Sequence, residues 1–431
     1  MLKGIIVKSV MNKKALFLVT IILLMIPRFI TAQNTWVQKA DFADGKRFGV
    51  ATFSIGTKGY VCCGSDNQGF YHDLWEYDPS TNSWVQKADL PAGVRRGAVA
   101  FSIGNKGYVG TGYGMSSLFF TDFWEYDQPT DTWTQIADYP GEGGVGLSGC
   151  VGFSIGNKGY VGTGGGWATG SGGQSGEFWE YDPSINTWSQ KADFPGGQRW
   201  FAIGFSIGNK GYLGTGLYET DTSIVYCNDF WEYDASANSW TQKASFTGLA
   251  RTGCIGLSLG TKGYIGPGRV SDFPDVITND FWEWNQSTNT WTQLADYPGG
   301  TGNGIYSGNG FAVNSKIYLG LGGSPNYQAQ KDFWEYTPDI TIGIDEVIDS
   351  KSKITISPNP FSSETFLHST ENLTDATYTI SNTYGMEVKT ISNLNGQIVR
   401  IEKDNLQNGI YFIRLTQNGK LIATNKIIIS E

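Results

Sequence analysis

Short stretches in which hydrophobic and polar residues alternate recur along most of the chain. The stretch from Trp75 to Trp84 begins Trp-Glu-Tyr-Asp, which places two aromatic side chains on one face of a strand and two carboxylates on the other. The next residues, Pro-Ser-Thr-Asn, are typical of a tight turn, because Pro fixes φ and Asn bonds to nearby backbone groups. The stretch therefore predicts two antiparallel strands joined by a short turn.

A second pattern, from Phe53 to Tyr60, consists of two apolar runs on either side of a Gly-Thr pair. Short apolar runs around such a pair predict a β-hairpin. The two patterns together predict four short strands, which we name a, b, c and d in chain order.

Both patterns occur six times, about 50 residues apart, and such a period is typical of repeat architectures. A four-stranded sheet cannot bury both of its faces alone, so the six sheets are expected to stack around a central axis. The sequence predicts an all-β, six-bladed β-propeller over residues 33–338, with the repeated Trp side chains packed between blades. The c strands begin at Trp75, Trp124, Trp179, Trp231, Trp282 and Trp334.

The sixth repeat ends after strand c, and the N-terminal region supplies a replacement. The letters Trp-Val-Gln-Lys-Ala-Asp begin at Trp36 and again at Trp84, where they form strand d of the first repeat. We therefore expect the N-terminal strand to complete the last blade and close the circle, which leaves no free sheet edge.

The repeat resembles the kelch motif. The resemblance rests on the period, on the string Asp-Xaa-Trp-Xaa-Tyr-Asp-Pro-Xaa-Xaa-Asn-Xaa-Trp and on the Gly that ends strand b. Kelch blades usually have Gly-Gly at that point, whereas here both residues are Gly only at 322–323. The resemblance implies a propeller fold. It also admits enzymes, since some kelch propellers are sugar oxidases or sialic-acid mutarotases. The copper oxidase type is excluded, because His72 is the single His of the propeller region.

A different module is expected at residues 354–431, after a linker at 339–353. It begins with Ser-Pro-Asn-Pro at 357–360, contains Asn-Gly turns at 395–396, 408–409 and 418–419, and ends with Lys-Ile-Ile-Ile. Short strands between such turns predict a small β-sandwich. The segment resembles the C-terminal sorting domain of the type IX secretion system of Bacteroidota, which implies transport across the outer membrane. The alternative is an ordinary adhesive sandwich.

The first 32 residues are expected to be a signal peptide. Lys13 and Lys14 form a basic start, an apolar run extends from Ala15 to Ile26, and Thr31-Ala32 is a cleavage site. The apolar run is well short of the ~20 residues that a spanning helix needs, so no membrane span is expected after removal of the signal. The predicted location is secreted, or on the outer cell surface after export through the periplasm.

The net charge and the composition limit the classes of partner and cofactor that are expected. The net charge of −9 disfavours nucleic acid, whose phosphates repel an acidic protein. With two His residues and no Cys-Xaa-Xaa-Cys pair, no metal site and no cofactor are expected. Five Cys residues cannot all pair within one chain. Burial as small apolar side chains is the simpler interpretation, and a Cys227–Cys254 bridge is the alternative.

Candidate ligand-binding residues lie in the d–a and b–c loops, which leave the blades on the face at the mouth of the central channel. Four Arg residues precede strand a: Arg47, Arg95, Arg199 and Arg251. They could bind a carboxylate or sulfate, or they could pair with loop acids such as Asp41, Asp89 or Asp193. The aromatic candidates are Tyr113, Trp167, Trp200 and Tyr218. The acids two residues before each c-strand Trp, such as Asp73, repeat in every blade and are expected to cap the turn.

No catalytic residues are assigned, because no asymmetric acid pair or nucleophile–base set stands out. The sequence favours a binding or interaction module that recognises a carbohydrate or a protein through the loop face of the propeller. Two alternatives stay open, a glycan-active enzyme similar to the sialic-acid mutarotases and a structural component of the envelope. The secretion machinery is an expected partner of residues 354–431.

Overall fold

The computed structural model describes residues 34–166, 173–272, 274–300, 304–325, 328–338, 354–382, 387–417 and 420–430. The predicted signal peptide, the predicted linker and the candidate Trp167 lie outside these ranges. Within the described residues, no helix has the length and apolar character needed to cross a bilayer.

Six four-stranded antiparallel sheets form the propeller, as the repeat predicts. In the first three blades the strands follow chain order from a to d. Blade one contains β2 (Ala51–Ile55), β3 (Lys58–Cys62), β4 (Leu74–Asp78) and β5 (Ser83–Lys87), and the N-terminal strand β1 (Thr35–Gln38) precedes it. Blade two contains β6 (Val99–Ile103), β7 (Lys106–Gly110), β8 (Phe123–Asp127) and β9 (Thr132–Ile136), and blade three contains β10 (Val151–Ile155), β11 (Lys158–Gly162), β12 (Phe178–Asp182) and β13 (Thr187–Gln190).

Blades four to six each carry an additional two-stranded hairpin in the b–c loop. Blade four contains β14 (Ile203–Ile207), β15 (Lys210–Gly214), β18 (Phe230–Asp234) and β19 (Ser239–Gln242), with the hairpin β16 (Leu217–Glu219) and β17 (Ile224–Tyr226). Blade five contains β20 (Gly256–Leu259), β21 (Lys262–Ile265), β24 (Trp282–Asn285) and β25 (Thr290–Gln293), with β22 (Arg269–Asp272) and β23 (Asp275–Ile277). Blade six contains β26 (Asn309–Val313), β27 (Lys316–Gly320) and β30 (Phe333–Thr337), with β28 (Gly323–Ser324) and β29 (Gln328–Ala329). One short 3-10 turn, Met115–Ser117, and one helical turn, α1 (Gly141–Gly144), lie in loops.

The N-terminal strand completes blade six, as predicted. β1 pairs antiparallel with β30, and Trp36 lies opposite Tyr336. Asn34 accepts a hydrogen bond from the Tyr336 hydroxyl at 2.7 Å and another from the backbone N–H of Ala295 in blade five at 3.2 Å. The last sheet is therefore built from both ends of the propeller sequence.

Aromatic residues of strand a fill the space between neighbouring blades. The Phe53 ring stacks on Tyr60 at 4.9 Å and lies against Gly107 of the next blade, where a Cβ would overlap the ring. The same Phe–Gly contact recurs around the circle and joins Phe311 of blade six to Gly59 of blade one. At the interface where strand a has Leu257 instead of Phe, strand b of the next blade has Ile317 instead of Gly, and both side chains belong to one core cluster. The repeat thus conserves the volume at the interface.

The d-strand Trp residues tie each blade to the preceding one at the outside of the propeller. The indole N–H of Trp84 donates to the carbonyl of Ala40 at 3.2 Å, and the N–H of Ala40 donates to Asn82 at 2.9 Å. This two-way link recurs at all six interfaces. The Trp donors are Trp36, Trp84, Trp133, Trp188, Trp240 and Trp291.

The C-terminal module is one five-stranded antiparallel sheet whose long strands contribute to a single core. Its strands are β31 (Ile354–Ser357), β32 (Glu364–Asn382), β33 (Glu387–Glu402), β34 (Gly409–Gln417) and β35 (Lys420–Ile429). Leu367 and Ile401, near one end of the β32–β33 pair, share that core with Ile380 and Ile413. The predicted turn at 395–396 is wrong, because these residues lie within β33 where the register against β32 shifts.

Removal of the Trp36 side chain from the closing strand should destabilise the propeller. Trp36 contacts Phe281 at 5.0 Å and Tyr336 at 4.8 Å and donates to the carbonyl of Ala295. We expect Trp36→Ala to lower the free energy of unfolding by about 3 kcal/mol, measured by urea denaturation. Val37, the next residue, is 50% exposed, so Val37→Ala should change stability by less than about 0.5 kcal/mol. Equal effects of the two substitutions would contradict closure by this strand.

Candidate functional site

A three-residue segment before each strand a sets the geometry of the channel mouth. The third residue of each segment donates its N–H to the carbonyl of the corresponding residue in a neighbouring blade, and the six bonds, 2.7–3.1 Å long, form a closed ring that we call the collar. All six collar residues have φ between 47° and 65°, in the left-handed region that Gly adopts without strain. The collar residues are Gly49, Gly97, Gly149, Phe201, Gly253 and Ser307.

The second residue of each segment pairs through a single antiparallel β-bridge with a residue three or four positions beyond the end of strand b in its own blade. Examples are Arg96 with Tyr113 and Thr252 with Arg269. These bridges fix the residues around the upper side of the collar. Above it lies a cavity of about 230 Å³, which we call the mouth cavity. Its larger lining side chains are Phe48, Arg96, Phe201, Leu217, Arg269, Asp272 and Tyr306.

Arg96 is the cation of the mouth cavity that has no acidic partner among the described residues. Its guanidinium carbon lies 5.3 Å from the centre of the Phe48 ring and 5.5 Å from those of Phe70 and Tyr113. The side chain is partly exposed. Aromatic rings attract the cation but leave its N–H groups available for an anion.

Arg269, on the hairpin of blade five, is held differently. Its guanidinium lies 3.8 Å from the centre of the Tyr306 ring and pairs with Asp272 at 2.9 Å and Asp275 at 3.1 Å. Asp272 also accepts a hydrogen bond from the Tyr226 hydroxyl at 2.6 Å. Burial, together with this carboxylate, raises the pKa of Tyr226 far above its usual value. The wall of the cavity at blade five is thus a polar network in which two carboxylates share one guanidinium.

The channel continues below the collar. A narrow part of about 100 Å³ is lined by the collar residues and by the residues that follow them, just before strand a. It leads to a wider part of about 320 Å³ whose polar groups are mostly small hydroxyls, together with the Asn309 amide. Five blades place a Ser there, and blade six places Ala312: the residues are Ser54, Ser102, Ser154, Ser206 and Ser258.

The four predicted Arg residues are buried within the blades. Their side chains are at most 2% exposed, and each makes a two-pronged ion pair with a carboxylate of its own blade. For Arg95, the two N–O distances to Asp122 are 2.6 and 2.9 Å. The pairs are Arg47–Asp73, Arg95–Asp122, Arg199–Asp229 and Arg251–Asp280. Pairing with acids was one of the two interpretations, but the partners are not Asp41, Asp89 or Asp193. Ligand binding by these Arg residues stays a prediction, and the structure gives them internal partners.

In the four blades with a buried Arg, the acid two residues before the c-strand Trp accepts hydrogen bonds both from that Arg and from the Trp indole. Asp280 accepts from Arg251 and also from the indole N–H of Trp282 at 2.6 Å. Burial by itself would raise the pKa of Asp280. The charge of Arg251 and the hydrogen bonds from Arg251, Trp282 and Thr278 outweigh burial and bring that pKa below its usual value. The turn-capping role predicted for these acids is wrong, because they join side chains of two loops and a strand.

Blades three and six have an aliphatic residue in place of the buried Arg, and a second difference in each of these blades compensates for the missing guanidinium. Leu147 and Ile305 occupy that position, and these two blades have Tyr139 and Tyr297 where other blades have Phe or Leu. The Tyr297 hydroxyl and the carboxylate of Asp332 both border Gly299. Burial and the Asp332 charge raise the pKa of Tyr297 well above its usual value. A buried phenol therefore stands beside the carboxylate where the other blades have a guanidinium.

The predicted aromatic residues divide into supporting and peripheral positions. Trp200 stacks on Phe201 at 5.1 Å and packs over Gly149 and Gly165, outside the described lining of the mouth cavity. Tyr113 lies behind Arg96 and contacts Phe119 at 5.1 Å. Tyr218 is in β16, next to the lining residue Leu217. Ligand contacts by these residues stay predictions.

Sequence reasoning missed Arg96, Phe48 and Tyr306. A signal was available, because the residue after the buried Arg or aliphatic residue differs in every blade, between positions that repeat. A variable position inside a constant frame is where a repeat scaffold carries its specificity. Among the described residues, no group of three or more His, Cys, Asp or Glu side chains could hold a metal ion.

The compensation in blade six provides a test of the buried ion pairs. Arg251→Ile leaves Asp280 without its guanidinium, and we expect a loss of about 3 kcal/mol in the free energy of unfolding. Adding Phe246→Tyr, which reproduces the residues of blade six, should recover a measurable part of that loss. Urea unfolding followed by tryptophan fluorescence measures both variants. A double variant no more stable than Arg251→Ile would contradict the compensation.

Two curated proteins with sequence similarity are both N-acetylneuraminate epimerases of Haemophilus influenzae, from strains PittEE and 86-028NP. Each is 33% identical over 125 residues, which are 28% of this chain and 31% of the relative. The matched region thus spans about a third of the length of these relatives. Among solved structures, the structure of YjhT superposes with a TM-score of 0.60 at 16% identity, covering 70% of this chain and 98% of that chain. This similarity establishes the fold.

Two family descriptions match parts of the chain. Residues 46–91, which contain the first blade, match the kelch motif. Residues 355–430 match the secretion system C-terminal sorting domain, so the protein is exported by the type IX route and is secreted or placed at the cell surface. With six blades closed by the N-terminal strand, the chain is a kelch-repeat β-propeller protein that carries a type IX secretion sorting domain.

Proposed function

We propose that the propeller is a secreted binding module and that the mouth cavity holds a small carbohydrate with a carboxylate group. The observation that supports this most directly is Arg96, a partly exposed guanidinium in an aromatic surround with no acidic partner among the described residues. A guanidinium presents two parallel N–H groups that match the two oxygens of a carboxylate.

The rest of the lining suits a sugar. Phe48 and Tyr306 supply aromatic surface for the apolar face of a pyranose ring, and Ser148 and Thr252 supply hydroxyl groups for its polar edge. The volume of about 230 Å³ lies below the roughly 300–1,000 Å³ of sites for drug-sized ligands. We therefore infer a single sugar unit. The relatives named as N-acetylneuraminate epimerases act on a sugar of this class, and N-acetylneuraminate is accordingly the first ligand to test.

Calorimetric titration of the full mature chain tests this proposal. N-acetylneuraminate should bind, and N-acetylmannosamine, which has no carboxylate, should bind much more weakly. Arg96→Gln should weaken binding of the acid by about tenfold to a hundredfold, since a hydrogen bond to a charged group contributes about 1.5–3 kcal/mol. Arg96→Lys should have an intermediate effect, because it keeps the charge and loses the two-pronged geometry.

Lys46→Gln is the matched control. Lys46 is an exposed cation of the adjacent loop that does not line the cavity, so its removal changes the net charge equally and should leave the affinity unchanged. Equal weakening by Lys46→Gln and Arg96→Gln would reduce the effect to general electrostatics. Equal affinity for the charged and the uncharged sugar would refute a carboxylate site.

A second candidate function, interconversion of sugar anomers, is favoured by one further observation. Asp272 lines the mouth cavity and is held in place by Arg269 and Tyr226, so a positioned carboxylate is available to accept and return a proton. NMR of freshly dissolved N-acetylneuraminate would show faster equilibration of its anomers with enzyme, and Asp272→Asn should abolish the acceleration. Binding without acceleration would leave the first proposal and exclude this one.

The remaining assignments concern export. We propose that residues 1–32 are the signal peptide and that residues 354–431 contact the secretion machinery. The match of residues 355–430 to the sorting domain supports the second assignment.

A further inference from the structure

Two adjacent cysteines at the end of strand b in blade one face each other. The Sγ atoms of Cys62 and Cys63 are 3.3 Å apart, and both residues are completely buried. Successive side chains of a strand normally point to opposite faces. Here Cys63 has φ of 63°, so the backbone turns immediately after Cys62 and brings the two sulfur atoms to the same side.

The sequence of blade one differs from that of the other blades in a way that accommodates this pair. The other five blades have Gly at the position of Cys62, and at Gly110 a Cβ would overlap the Phe123 ring of strand c. Blade one has Leu74 at the position of that Phe, and Cys62 lies opposite Leu74 in the sheet. The Gly-to-Cys and Phe-to-Leu differences compensate in volume, as Leu257 and Ile317 do elsewhere in the propeller. The cysteine pair is therefore accommodated by the core of blade one.

We propose that Cys62 and Cys63 form a disulfide in the exported protein. Secreted proteins fold in oxidising compartments, where thiols this close together become oxidised. The two thiols lose two protons and two electrons, and a disulfide oxidant takes them up and becomes two thiols, so the S–S bond replaces two S–H bonds. Burial raises the pKa of Cys62 well above its usual value in the folded chain, which disfavours the thiolate that attacks the oxidant, so we expect the bond to form during folding.

The bond would fix the loop end that supports the mouth. The carbonyl of Cys63 accepts a hydrogen bond from Nη1 of Arg47 at 3.1 Å, and the next residue, Gly64, donates to the carbonyl of Arg95 at 2.8 Å. Arg95 directly precedes Arg96. The disulfide ring therefore holds Cys63, directly before Gly64, through which blade one contacts the chain segment that carries Arg96.

Mass spectrometry of the exported full-length chain tests the proposal without any ligand. The protein is denatured with iodoacetamide and no reductant, then digested with trypsin, which releases residues 59–87 as one peptide containing Cys62 and Cys63 alone. We expect this peptide to carry no alkyl group and to weigh two hydrogen atoms less than the dithiol form. After reduction it should take up two alkyl groups. All five Cys residues are free thiols in the structure. Cys150, Cys227 and Cys254 should be alkylated without reductant, because the Sγ atoms of Cys254 and Cys227 contact the oxygen atoms of Thr215 and Val225 and not a second sulfur.

Alkylation of both Cys62 and Cys63 without reductant would overturn the proposal, and so would a disulfide joining either of them to another peptide. The triple variant Cys62→Gly, Cys63→Thr, Leu74→Phe, which reproduces the residues of blade two, is the matched control. It should fold, and its mass should not change on reduction. The result is independent of sugar binding, so failure here leaves the proposed function untouched.

Discussion

The collar, a closed ring of six backbone hydrogen bonds around the channel, is the constraint on which the rest of the propeller depends. Each collar N–H finds its acceptor in a neighbouring blade, so the ring is complete only when six blades are present. The left-handed backbone at each collar residue turns the chain into strand a. The residue before the collar residue lines the mouth cavity in every blade except blade four, and the residue before that is buried in the blade. The collar thus separates structural side chains from those that can meet a ligand.

Differences between blades follow rules of volume and charge. A Phe–Gly contact becomes Leu257 with Ile317, and a buried Arg becomes an aliphatic residue with a buried Tyr nearby. In each case the first difference alone would leave a cavity or an isolated carboxylate. The second difference fills the cavity or places a polar group beside the carboxylate. Comparison of the six repeats within one chain therefore reveals which residues act together. The cysteine pair of blade one, with Leu74, follows the same logic.

Most of the fold could be predicted from the sequence, because alternation, turn residues and a repeated Trp are local signals. The blade number and the closing role of Trp36 are confirmed. The candidate site was less accessible to prediction. Arg95 and Arg96 are neighbours with the same chemistry, yet one pairs with a buried carboxylate and the other lines the mouth cavity. The direction of each side chain is set by the collar bond of Gly97, which links blades whose residues are distant in sequence. No local pattern encodes that bond.

The closing strand also dictates the order in which the molecule can assemble. Asn34 receives its hydrogen bonds from residues 261 and 302 positions away, in the last two blades. Contacts so distant in sequence form late, because a long loop must close before they contribute any stability. The propeller therefore cannot be finished blade by blade as the chain emerges. Its final sheet can form only after the whole repeat region is available, because the four-residue strand β1 at one end of that region pairs with β30 at the other.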